Sequence, residues 1–130
     1  MIALARSEGY EVGSTPEADL REMGLLRMWG PPGRPNGTVA DLIVANEPYL
    51  DAVLARATPA KFGSTSLQMA TLEDLVLLKL DADRPRDIED VLSIKDAFGD
   101  TLDHEYLRRQ ADAIGDDVRR RLDLYFPTKE

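Results

Sequence analysis

The chain contains no cysteine and a single histidine, His104. The first absence excludes disulfides, thiolate zinc sites and cysteine nucleophiles, and the second excludes paired-histidine zinc sites. A metal bound by this chain alone is therefore held by oxygen, which points to Mg2+ or Mn2+ on carboxylates. No apolar run approaches the roughly 20 residues that span a bilayer, so no membrane partner is expected. The opening MIALARSEGYEVGS carries an acid and glycines where a signal peptide needs a long apolar stretch, and a cytoplasmic protein is expected. Cations are also scarce: 16 Lys and Arg against 24 Asp and Glu give a net charge of -8 and a pI near 4.7. That balance opposes broad attraction to nucleic acid, because counterion release requires clustered cations.

What is present is the composition of a folded protein. Hydrophobic residues make up 43% and charged residues 31% of 130 residues, a length that fits one small domain. Arg108, Arg109, Arg119, Arg120 and Arg121 gather near the C-terminus. A solvated helix face accounts for the run Arg119 to Arg121, with a nucleic-acid contact as the alternative.

Along the chain, Ile2 to Ser7 reads as an uncapped helical start and Tyr10 to Val12 as a short strand. Thr15-Pro16 opens a helical turn through Met23, with proline where a helix start tolerates it. Leu25 to Trp29 and Thr38 to Ala45 read as strands joined through GPPGRPNG, a β-hairpin. Asn46 to Ala57 is amphipathic, with Leu50, Val53, Leu54 and Ala57 on one face. AKFGSTSLQMA reads as a strand pair, or one strand with a glycine turn, ending at Met69. Thr71 with Asp74 three residues on resembles a capping box and starts a helix to about Asp83. Arg84-Pro85 begins another, which runs to Phe98 and stops at Gly99, a residue suited to the left-handed conformation that ends helices. Asp103 to Ile114 and Asp116 to Tyr125 complete the chain. Leu107, Ala111 and Ile114, and then Val118, Leu122 and Tyr125, form their apolar faces. Strands early and helices late predict an α+β fold with a small mixed sheet and a helical C-terminal region.

Four residues stand out against these patterns. Asp41 interrupts the apolar strand TVADLIVA on the face of Val39 and Ile43, which suits either a solvated strand edge or a metal ligand or base held on a rigid element. Lys79 falls between Leu72, Leu75 and Val76, opposite the arc of Glu73, Asp74 and Asp81. Its stem can lie along apolar surface with the ammonium in water, or the ammonium can point into a cleft as a phosphate contact. Asp87 and Asp90 open the next helix, where the macrodipole favours acids. Asp87 lies on the flank of the arc formed by Ile88, Val91, Leu92, Ile94 and Phe98, and a desolvated carboxylate there needs Lys79, Arg84 or Arg86 as a partner. His104, at a helix start between Asp103 and Glu105, is expected to be solvated.

A strand bearing Asp41, a helix and short strand, then Glu73-Asp74-Leu75, the helix-borne Lys79 and Arg84-x-x-Asp87-x-x-Asp90 form an ordered series. Over roughly Gly9 to Phe98 that series resembles the AbiEii/AbiGii toxin-type members of the nucleotidyltransferase superfamily. The resemblance implies a partial nucleotidyltransferase-like domain over residues 1–98, with the helices of 99–130 packed on it. It implies Asp41 as a catalytic carboxylate and metal ligand, Lys79 as the nucleotide-phosphate contact, and Asp87 and Asp90 as site-shaping residues. Mg2+ or Mn2+ would be the cofactor, a nucleoside triphosphate the substrate and RNA a possible acceptor. One family element has no counterpart: Gly-Ser followed by Asp-x-Asp on a strand. Gly13-Ser14 leads to EMGLL, Gly63-Ser64 leads to a helix, and Asp81-Ala82-Asp83 ends one. The resemblance thus implies a domain without its first strand, catalytically incomplete unless that element is supplied. The alternative is a noncatalytic binding or regulatory module of a toxin-antitoxin-like system, pairing with an antitoxin or with itself through the open sheet edge.

Overall fold

A computed structural model describes residues 1–22, 24–30, 39–44 and 47–128. The expected turn GPPGRPNG lies almost wholly outside the described residues, as do Met23, Thr38, Ala45 and Asn46. The architecture is α+β, with two small antiparallel sheets and a helical C-terminal region. The chain divides into two compact units, Met1–Glu47 and Pro48–Glu130.

The first unit runs α1 (Ile2–Ser7), β1 (Glu11–Val12), α2 (Pro16–Glu22), β2 (Leu25–Trp29) and β3 (Val39–Ile43). The strands form one antiparallel sheet in the order β1-β2-β3, with Glu11 opposite Trp29 and Arg27 opposite Asp41. Leu26 is fully buried and Ala5 is buried. On β3 the period-2 alternation is complete: Ala40 and Leu42 are half-buried, whereas Val39, Asp41 and Ile43 are exposed.

The second unit opens with α3 (Pro48–Arg56), the hairpin β4 (Thr58–Phe62) and β5 (Thr65–Met69), and α4 (Leu72–Ala82). It continues with α5 (Pro85–Phe98), a 3-10 turn over Gly99–Thr101, α6 (His104–Ile114) and α7 (Asp116–Tyr125). Of the two sequence readings of Ala60 to Ala70, the strand pair is the one found. Gly63 supplies its turn at φ 59°, where an L side chain is strained. The core is helical: Val76, Leu77 and Leu80 pack with Val91, Leu102, Tyr106, Leu107, Ala111, Val118, Leu122 and Phe126. Each fully buried leucine contributes about 1.5–3 kcal/mol by leaving water.

Several local expectations need correction. Gly99 is right-handed at φ -53° and starts the 3-10 turn; the left-handed helix end is instead Asp83 at φ 48°. Leu54, Leu72, Leu92 and Phe98 sit on expected apolar faces yet are exposed. Helix α3 has no buried residue at all. Short helices carry wide apolar stripes, and packing on one neighbour covers only part of each stripe. The buried side of α4 is centred on Val76, Leu77 and Leu80, and it includes Asp74, which helical periodicity had put on the opposite arc.

Candidate functional site

The α4–α5 corner is built by its local sequence. Asp83 turns left-handed and its N–H donates to the Lys79 carbonyl at 3.1 Å, closing α4. Arg84 is then extended and Pro85 starts α5, because proline fixes φ and needs no donor at a first helical position. The reversal carries Asp87 and Asp90 back to Lys79. The Lys79 Nζ donates to Asp90 Oδ2 at 2.5 Å and to Asp87 Oδ1 at 3.3 Å, while Arg84 Nε donates to Asp87 Oδ2 at 2.5 Å.

Exposure grades this cluster. The Asp87 side chain is 10% exposed, Lys79 20% and Asp90 56%, so the network runs from the protein surface to the edge of the core. The hydrogen bond from Arg84 holds Asp87 below the usual carboxylate range, against burial, with Lys79 adding to the effect. The hydrogen bond to Asp90 raises Lys79, burial opposes that, and Asp87 reinforces it. An open cleft of about 580 Å³ adjoins the cluster, lined by Arg84, Pro85, Arg86, Asp87 and Asp90. Lys79, Asp87 and Asp90 are thus brought together.

Asp41 belongs to the first unit. Its two carboxylate oxygens accept from Arg27 Nε at 2.7 Å and Nη2 at 2.6 Å, a bidentate cross-strand pair that raises the arginine. Among the described residues no group of three or more Asp, Glu, His or Cys is placed to hold a metal ion. The carboxylates described do not by themselves fit a divalent cation: Asp41 is one ligand already engaged by a guanidinium, and an ammonium sits between Asp87 and Asp90.

A second charged network was not legible from the sequence. Asp74 is 1% exposed, and its carboxylate accepts from Tyr106 Oη at 2.5 Å, Thr71 Oγ1 at 2.8 Å and Arg56 Nε at 3.3 Å. The Thr71 hydroxyl also accepts from the Asp74 N–H at 3.2 Å, so the expected cap is present with its acid turned inward. Burial, and then the bond to Asp74, push Tyr106 up to about 12. The Arg56 guanidinium carbon lies 3.6 Å from the centre of the Tyr106 ring and that of Arg109 lies 5.6 Å away. Helical spacing brings Arg109 to Tyr106, three residues before it on α6, whereas Arg56 reaches the same ring from α3.

The remaining candidates have ordinary partners. His104 is half-buried rather than solvated, with Nε2 2.8 Å from the Gly99 carbonyl and its ring 5.9 Å from that of Phe126. Arg119 pairs with Asp112 and Asp123, Arg120 with Asp117, and Arg121 with Asp83. Every arginine of that run therefore has an acid against it. No helix is long and apolar enough to cross a membrane, among the described residues. Comparison with protein-family models, curated proteins and solved structures finds no match to this chain.

Proposed function

We propose that this chain is a nucleotidyltransferase-fold relative that takes up a nucleoside triphosphate at the α4–α5 corner. Lys79 is the phosphate contact, and Asp87 and Asp90 set its position. Nucleotidyl transfer would require a further Asp-x-Asp element, because the carboxylates described do not hold a divalent cation by themselves. In such a transfer an acceptor oxygen attacks the α-phosphorus, and pyrophosphate leaves with the electron pair of the broken bond. The part of this chain is to offset phosphate charge with a fixed ammonium.

The Lys79–Asp87–Asp90 cluster carries this reading. A lysine on the flank of a buried helical arc, held by two acids beside an open cleft, is preorganised for an anion that can take the place of exposed Asp90. The test is thermal unfolding of wild type and Lys79→Met with each ribonucleoside triphosphate, with and without Mg2+. Wild type is expected to be stabilised by at least one triphosphate, by about 2.7 kcal/mol at a hundred times its Kd. Lys79→Met is expected to lose that response. If no triphosphate stabilises the wild type, the proposal falls.

The Arg27–Asp41 pair favours a second reading, a noncatalytic binding or regulatory module in which the nucleotide is held and not consumed. Exposed Val39 and Ile43 on β3 add a surface for a cognate antitoxin or a second copy. Binding of a triphosphate without transfer of its α-phosphate label to RNA or protein supports this module; label transfer removes it.

A further inference from the structure

The α4–α5 corner has a support that comes from far along the chain. Arg121 on α7 donates through Nη1 to the Leu80 carbonyl at 3.1 Å, and its Nη2 lies 2.8 Å from Asp83 Oδ2. Leu80 is fully buried and its carbonyl is among the last of α4, a group with no following N–H to accept from within the helix. Asp83 is the one described non-glycine residue with positive φ, at 48°, a conformation most side chains avoid. One guanidinium thus satisfies the end of α4 and holds the strained residue that reverses the chain. We infer that Arg121 is the positioning residue of the Lys79–Asp87–Asp90 cluster, acting through Asp83 to fix the turn that sets Asp87 against Lys79.

The chemistry favours arginine for this task. A planar fork reaches a carbonyl and a carboxylate at once, whereas a lysine ammonium at the same place reaches them only as a point charge. The Arg121 side chain is 28% exposed, so the clamp is partly shielded from competing water. The cluster it serves lies on the other side of the turn: Asp83 is followed directly by Arg84, whose Nε donates to Asp87. A shift at Asp83 moves the Arg84 backbone, and with it the donor that holds the Asp87 carboxylate.

The functional weight of Arg121 rests on the reading that the cluster binds phosphate, so the test has one arm that needs no ligand. The Asp87 carboxyl titration is followed by NMR in wild type, Arg121→Leu, Arg121→Lys and Arg121→Leu combined with Asp83→Gly. Arg121→Leu is expected to move that titration upward, toward an ordinary aspartate, with Arg121→Lys intermediate. Glycine adopts positive φ without a Cβ conflict, so Asp83→Gly is expected to restore the titration in the Arg121→Leu background. Because glycine at a positive-φ position can also raise global stability, the titrations are compared only where each variant is shown by denaturant unfolding to be fully folded. The second arm measures affinity for inorganic tripolyphosphate, expected to fall about tenfold in Arg121→Leu, since small displacements of a charged contact are costly. An unchanged Asp87 titration in both Arg121→Leu and Arg121→Lys overturns the inference, and if Arg121→Leu does not fold, Arg121→Lys decides it. A moved titration without tripolyphosphate binding by wild type leaves the positioning role standing and removes the phosphate reading.

Discussion

Helix α4 carries two charged networks less than two turns apart, and they differ in what surrounds them. Asp74 is enclosed, with a tyrosine hydroxyl, a threonine hydroxyl and a guanidinium on its oxygens. Lys79 is held at the rim of the core by Asp87 on one side and by mostly exposed Asp90 on the other. A buried carboxylate whose partners are all protein groups has no room to exchange them, so its role is to join α4 to α6. A half-buried ammonium with one solvated partner can trade that partner for another anion. The two networks show that burial of a charge does not decide whether its partners can be exchanged; the exposure of the partners does.

The contrast can be broken or sharpened by substitution. The largest effect is expected from Asp74→Ala, about 3 kcal/mol in denaturant unfolding, because it strands the Tyr106 hydroxyl and Arg56 without their acceptor. Tyr106→Phe removes one donor and retains the ring that both arginines contact, so about 1–2 kcal/mol is expected in the same measurement. Asp90→Asn breaks only the solvated side of the second network and is expected to cost less than ~1 kcal/mol. A loss for Asp90→Asn as large as that for Asp74→Ala would erase the distinction between the networks. Arg120→Ala, at a highly exposed pair with Asp117, is expected to change stability by less than ~0.5 kcal/mol.

Titration separates the same two regions. Folding raises Tyr106 from 10.0 to about 12, so its contribution is fully present below pH 10 and is lost as pH rises toward 12. Folding lowers Asp87 from 3.8, so its contribution is present above that value and is lost as pH falls through its folded pKa. Stability profiles against pH should therefore lose their alkaline component in Tyr106→Phe and part of their acid component in Asp87→Asn. An alkaline component that survives in Tyr106→Phe would show that another group is responsible.

Much of the scaffold was legible because its cues are local. Thr71, Pro85 and Asp103 mark helix starts through backbone chemistry that needs no tertiary partner, and alternation along β3 puts Asp41 on one face with Val39 and Ile43. Asp87 stands out because a carboxylate on an apolar flank demands a cation, and Arg84 lies three residues before it and Lys79 eight, across the turn between the helices. The buried network resisted the same treatment. Helical periodicity puts Asp74 opposite the apolar arc of α4, because its tyrosine partner is 32 residues away and periodicity within α4 says nothing of α6. Leu54 and Phe98 failed for the converse reason: an apolar stripe records what a helix could bury, and the neighbours decide what it does bury.

The bidentate bond between Arg27 and Asp41 bears on how the first sheet finds its alignment. These residues are directly opposite across β2 and β3, so a slip of one position would face Asp41 with Leu26 or Met28 and send its side chain to the other side of the sheet. Each strand carries four apolar residues and a single charged one, and only the observed alignment puts the two charges directly opposite each other. The pair can thus act as a key for strand pairing, rejecting misaligned hairpins whether or not it adds much to the stability of the correct one.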